Sequence, residues 1–142
     1  MQMRVLGGTG IKVSAYCLGA MMFGAWGEPD HDESARIIHR ALDGGVNFVD
    51  TADIYSRGES EEIVGKWMAD RRRDGIILAT KVAGPGGGWF KTPVRSGITG
   101  LDRHHIERAV EGSLRRLRTD YIDLYQIHWP DGGLPLEVTM EA

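Results

Sequence analysis

Residues Gly45 to Gly65 read GVNFVDTADIYSRGESEEIVG. The apolar run Val46–Val49 has the make-up of a short buried strand. It gives way to Asp50, then Tyr55, then the helical spacing of SEEIVGKWMADRRR, in which Ile63, Val64, Trp67 and Met68 form one stripe. A strand that ends in an ionisable side chain and feeds a helix is the repeating unit of a parallel α/β fold. Glu59, Glu61 and Glu62 open this helix and Arg71–Arg73 close it, which complements the helix dipole and predicts a solvated charged face.

The same unit recurs on both sides. Apolar runs at Val13–Leu18, Ile76–Ala79 and Tyr121–Ile127 read as further strands. DESARIIHRALDGG reads as a helix with Ala35, Ile38, Ala41 and Leu42 on one face and Gly44 as its C-cap. LDRHHIERAVEGSLRRLRTD reads as another, capped by Asp102, with Ile106, Ala109, Val110, Leu114 and Leu117 turned to a core. Strand and helix alternate at intervals of roughly thirty residues, the length of a right-handed βαβ unit. That leaves a barrel or a doubly wound sheet. The doubly wound dinucleotide fold would open its first helix with G-x-G-x-x-G, whereas GGTG at Gly7–Gly10 precedes the first such strand and no helix follows it. RVLGGTGIKV reads instead as a hairpin.

The expected fold class is therefore α/β, of the parallel (β/α)8 TIM-barrel type. Residues 1–142 would form a single domain holding about the first four β/α units behind an N-terminal β-hairpin. A complete barrel takes about 250 residues, and the chain reaches LPLEVTMEA part-way into a fourth helical pattern. Its first and fourth strands would be sheet edges, so self-association or pairing with a C-terminal half is expected.

Composition narrows the function. A net charge of −3 gives no global attraction to nucleic acid or anionic lipid. Cys17 is the single cysteine and the opening MQMRVLGGTG has no apolar signal core, so a reducing cytoplasm is expected. Twenty glycines in 142 residues is about twice the usual ~7%, but they fall between patterned segments as turns.

Three successive strands end in ionisable groups: Asp50, then Lys81 in IILATK, then His128 in YIDLYQIH. In a parallel barrel these ends emerge on one face, where barrel enzymes keep their active sites. Taken singly, a strand-end Asp can cap a helix, a Lys is usually surface and a His is often hydrogen-bonded core. Their shared position, with Tyr55 on the loop after Asp50, is what points to chemistry. An ammonium beside a phenol stabilises the phenolate and makes the phenol a better proton donor. Lys81 can do this for Tyr55, with Asp50 holding Lys81, while His128 donates to a substrate carbonyl oxygen. The set suits acid-assisted carbonyl reduction, in which no side chain can deliver the hydride and a nicotinamide cofactor is required. No metal site is read. Two other readings stand: a Schiff-base aldolase using the Lys81 amine, and a non-catalytic half-barrel or interaction module.

At CLGAMMFG, NFVDTADIYSRGESEEIVG, ILATK and SLRRLRTDYIDLYQIHWPD the chain resembles the aldo-keto reductases over nearly its whole length. The resemblance implies an eight-stranded β/α barrel that reduces aldehydes or ketones with NADPH through the tetrad Asp50, Tyr55, Lys81 and His128, Tyr55 being general acid. It further implies that Gly19, Ala20, Met21 and Asp50 lie against the nicotinamide and ribose, and that Trp129 rims the substrate pocket. For Met21 and Met22 core filling is the alternative. The Gly-rich connection AGPGGGWFKTPVRSGITG, carrying Trp89 and Phe90, is expected over the active face as a substrate lid; its glycines and prolines equally suit a disordered linker.

Overall fold

A computed structural model of the protein describes residues 1–69, 73–83 and 101–142. The chain opens with strands β1 (Met3–Val5) and β2 (Lys12–Ser14), paired antiparallel with Met3 opposite Ser14. Leu6 N–H donates to Ile11 O across the turn, and Gly7 and Gly10 take φ of 54° and 78°. Those angles are open to glycine at little steric cost, which is why GGTG turns the chain.

Beyond the hairpin come β3 (Cys17–Gly19), helix α1 (His31–Asp43), β4 (Phe48–Asp50), helix α2 (Glu59–Met68), β5 (Ile77–Val82), helix α3 (Arg103–Leu117), β6 (Leu124–Ile127) and the short helix α4 (Leu136–Met140). Strands β3, β4, β5 and β6 form one parallel sheet in chain order. Four parallel strands with intervening helices and an N-terminal hairpin are part of a (β/α)8 barrel, the expected fold class. Asp30 caps α1, accepting from Asp32 N and Glu33 N, and Asp102 caps α3, accepting from His105 N. Among the described residues no helix is long and apolar enough to cross a membrane.

Several boundaries differ from the sequence reading. Val13–Leu18 is two strands, because Ser14 Oγ donates to Tyr16 O at 2.6 Å and turns the chain between the hairpin and the sheet. Tyr121–Ile127 becomes a strand only from Leu124: Tyr121 is held outside the ladder beneath the Arg73 guanidinium, 3.9 Å from its ring centre. Helix α2 ends at Met68, short of the arginines. Arg73 lies in a separate 3-10 turn, where it donates to Thr119 Oγ1, Ile76 O, Tyr121 O and Asp123 Oδ2. Arg71 and Arg72 lie outside the described residues, as do Trp89, Phe90 and the expected lid.

The core lies between the sheet and helices α1 to α3, with Val49 and Leu78 from the strands meeting Ile38, Ile63, Val64 and Leu117. Helices α2 and α3 touch backbone to backbone at Gly65, where a Cβ would stand 2.4 Å from Arg116 O. That close approach buries Glu61, which corrects the expectation of a solvated acidic face. Its carboxylate is fully buried, accepting from Thr80 Oγ1 at 2.6 Å and from Arg116 Nε at 2.7 Å.

Candidate active site

Side chains alternate across a strand. In β5, Leu78, Thr80 and Val82 are buried, and Thr80 reaches Glu61 on α2. The alternate residue Lys81 therefore points to the opposite, inner side of the sheet. Register puts Lys81 beside Gln126 of β6, and Asp50 beside Ala79. The inner side at the C-terminal strand ends thus collects Asp50, Lys81 and Gln126, with His128 directly after β6.

Lys81 Nζ donates to Asp50 Oδ2 at 2.6 Å, to Thr51 O at 2.8 Å and to the Tyr55 hydroxyl oxygen at 3.2 Å. An ammonium has three hydrogens, and these three acceptors fix its direction. Gln126 Nε2 donates to the second Asp50 oxygen at 3.2 Å. The pair is partly sheltered, with 15% of the Lys81 side chain and 28% of the Asp50 side chain exposed. The His128 ring meets the Tyr55 ring edge-on at 5.5 Å, and the Trp129 ring lies 4.2 Å from that of His128. Desolvation first, and the Lys81 charge second, lower the His128 pKa, with Asp50 opposing, so the imidazole is neutral at neutral pH. Partial desolvation, reinforced by Asp50 and opposed by Lys81, raises the Cys17 thiol to about 11, which disfavours its thiolate.

Tyr55 owes its place to a turn that composition conceals. Residues Tyr55–Gly58 form a 3-10 turn in which Ser56 and Arg57 adopt left-handed φ of 47° and 59°. Each costs about 1–2 kcal/mol in a residue with a side chain. The Ser56 hydroxyl supports the turn, donating to Phe23 O and accepting from Trp26 N–H, both at 3.1 Å. Glu59 then accepts from Ala25 N–H and pairs with His31 Nε2 at 2.9 Å. The Tyr55 turn and the segment after β3 are thereby joined.

The structure brings Asp50, Tyr55, Lys81, His128 and Trp129 together; Trp129 packs against the cluster of Ala52, Ile54, Tyr55 and Ala83. Gly19 lies opposite Asp50 in the β3–β4 register, with open space where a Cβ would stand, and Met21 is half-exposed. Ala20 does not reach that face: it is fully buried in the main core, and its carbonyl accepts from Ser60 Oγ at 2.7 Å. Sequence reasoning missed Gln126, Thr51 O and Asp53. Gln126 was findable, since it stands two residues before His128 on an alternating strand.

The aldo-keto reductase family model matches residues 15–142. The chain belongs to the aldo-keto reductase family. It is 43% identical over 145 residues to the aldo-keto reductase YhdN of Bacillus subtilis, a match that takes in 100% of this chain and 42% of that protein. It is 39% identical over 138 residues to norsolorinic acid reductase B of Aspergillus parasiticus, covering 93% and 36% of the two chains. The holo form of aldo-keto reductase AKR11C1 from Bacillus halodurans superposes with a TM-score of 0.82 at 39% identity, covering 99% of this chain and 44% of that one. The chain therefore spans less than half the length of these relatives.

Proposed function

We propose that the protein reduces an aldehyde or ketone to an alcohol with NADPH, Tyr55 giving the proton. The observation that carries the reading is the Lys81 ammonium shared between Asp50 and the Tyr55 hydroxyl. The open space above Gly19, the half-exposed Met21 and the sheltered Asp50 fit one side of a nicotinamide. When bound, that group supplies the hydride to the carbonyl carbon. Tyr55 donates its phenolic proton to the carbonyl oxygen. The Lys81 charge stabilises the phenolate left behind, and Asp50 with Thr51 O keeps that charge aimed at it. His128, as a neutral imidazole, orients the carbonyl oxygen through an N–H, and the Trp129 ring shields this edge from water. Membership of the oxidoreductase family and the reductase relatives support the reaction class. The protein is proposed to work in the cytoplasm.

The test fuses this chain in frame to the part of YhdN that lies beyond the matched region, and follows NADPH oxidation with a panel of aldehydes and ketones. Tyr55→Phe is expected to lose about 10²–10⁴-fold in rate, the usual worth of positioned acid catalysis. A Tyr55→Phe variant as fast as the parent would overturn the assignment. Borohydride trapping of substrate on Lys81 would instead support the aldolase reading.

A second reading, a non-catalytic half-barrel or interaction module, stands beside it. Fluorescence titration of NADPH into the 142-residue chain separates the two, since saturable micromolar binding defeats it. In either case β3 and β6 are the outer strands of the described sheet. The isolated chain is accordingly proposed to self-associate or to pair with a C-terminal half. A monodisperse, cooperatively unfolding monomer in sedimentation at low micromolar concentration would refute this.

A further inference from the structure

Between β4 and the Tyr55 turn the chain follows β5 rung by rung. Thr51 N–H donates to Ala79 O at 3.0 Å, and Asp53 N–H donates to Lys81 O at 3.1 Å. At the next rung the backbone has already turned away, with Tyr55 N–H donating to Ala52 O. The Asp53 side chain takes that rung instead: Ala83 N–H donates to Asp53 Oδ1 at 3.0 Å and Oδ2 at 3.2 Å. Ala83 is two residues beyond Lys81, and Asp53 is two residues before Tyr55. On the other side of Ala83, the His105 ring of α3 lies 3.3 Å from its carbonyl oxygen.

We propose that Asp53 is a positioning residue, whose carboxyl group clips the Tyr55-bearing turn to the end of the strand carrying Lys81 and so sets the phenol-to-ammonium distance. The inference rests on the reduction reading for its catalytic consequence, but the clip is a structural claim that stands separately. Tyr55 OH and Lys81 Nζ are 3.2 Å apart, at the long end of the roughly 2.7–3.2 Å range of N–H···O hydrogen bonds. A small movement of either element therefore breaks the contact. Beyond Asp53 the turn passes through left-handed Ser56 and Arg57, a conformation that persists only where its surroundings over-determine it.

The clip is also sensitive to protons. The Asp53 carboxyl faces Glu61 from α2, Arg116 from α3, the Tyr125 phenol from β6 and the N–H groups of Ala83 and Ile54. Desolvation chiefly, then Glu61, raises its pKa to about 7 against the opposing pull of Ala83 N–H and Arg116. The Tyr125 hydroxyl, likewise pushed up by burial and by Asp53, has no hydrogen-bond partner among the described residues. Protonation of Asp53 keeps one carbonyl oxygen for Ala83 and removes the charge. The asparagine variant imitates that state; alanine removes the rung.

The experiment compares Asp53→Asn and Asp53→Ala by two readouts. In the 142-residue chain, the Ala83 amide resonance is followed against pH. The wild type is expected to titrate with a midpoint near 7, Asp53→Asn to show no step there, and Asp53→Ala to lose protection of this amide from solvent exchange. An Ala83 amide equally protected in Asp53→Ala overturns the clip. In the YhdN fusion, Asp53→Ala is expected to lose about 10–100-fold in kcat with little change in KM, the scale of a misplaced reacting group, and Asp53→Asn to restore most of it. If Tyr55→Phe is inactive while Asp53→Ala keeps full kcat, the positioning role fails and the reduction reading stands. If the wild-type fusion does not turn over at all, the reduction reading fails. Positioning is then decided by the Tyr55 ring resonances, which must shift in Asp53→Ala and return in Asp53→Asn; unchanged resonances overturn it.

Discussion

Replacing Glu61 by alanine should be among the most damaging single changes on α2, although the residue looks like ordinary helix-surface charge. Its carboxylate is fully buried and accepts two short hydrogen bonds, from Thr80 Oγ1 and Arg116 Nε. Removing one partner of a buried ion pair costs about 3–5 kcal/mol, because the other charge stays behind uncompensated. Arg116 keeps 28% of its side chain exposed and can recover part of its hydration, which favours the lower end. The expected loss is about 3 kcal/mol, or roughly 10 °C in Tm for a chain of this size. Glu61→Gln retains an acceptor for Thr80 and should lose about half as much. Glu62→Ala, one residue away and exposed, should lie within about 0.5 kcal/mol of wild type. Thermal and urea unfolding followed by circular dichroism at pH 7 measures all three. Were Glu61→Ala to melt within about 1 kcal/mol of wild type, the buried network would not be what joins α2 to α3.

Two more outcomes follow from the same region. Asp53 has its folded-state pKa raised to about 7 from 3.8, so the fold binds its proton more tightly than the unfolded chain does. Its contribution is fully present below about pH 4 and is lost as pH rises to about 7; Asp53→Asn should therefore raise Tm at pH 8 but not at pH 4, and an equal change at both would refute the buried-carboxyl account. Arg57→Gly removes an exposed side chain from a left-handed position at φ 59° and should stabilise the chain by about 1 kcal/mol in urea unfolding; a loss of stability would show that the arginine is needed there.

The parts of the fold legible in the sequence were those written in periodicity. Alternation of apolar runs with helical stripes yielded the parallel sheet, and strand ends yielded Asp50, Lys81 and His128, because a period of two carries every second residue to the same side. Where side-chain type was allowed to outweigh position, the reading failed. By residue type Glu61, a glutamate in a first helical turn, reads as solvated. Yet Glu61, Val64, Gly65 and Met68 stand at i, i+3, i+4 and i+7, the spacing of a buried face, and all four are buried. The split of Val13–Leu18 had no such signal, since it depends on a hydroxyl folding back onto the carbonyl two residues on. Nothing in the letters SRG announces two left-handed residues either, because neither serine nor arginine favours that conformation.

Those left-handed residues explain why so much of the chain converges on one turn. Two of them together cost about 2–4 kcal/mol, more than one hydrogen bond worth about 1 kcal/mol can offset. The turn is held from four directions. Ser56 is tied to Phe23 and Trp26, Glu59 to Ala25 and His31, Asp53 to Ala83, and the Arg116 side chain lies so close over Gly58 that a Cβ there would stand 2.8 Å from its Cδ. Arg116 is in turn fixed by Glu61, and Glu61 by Thr80, the neighbour of Lys81 in β5. The buried pair behind the sheet and the ammonium in front of it thus share a strand. Loss of Glu61 should accordingly be felt at Tyr55 through Arg116 and Gly58, as well as in the melting temperature.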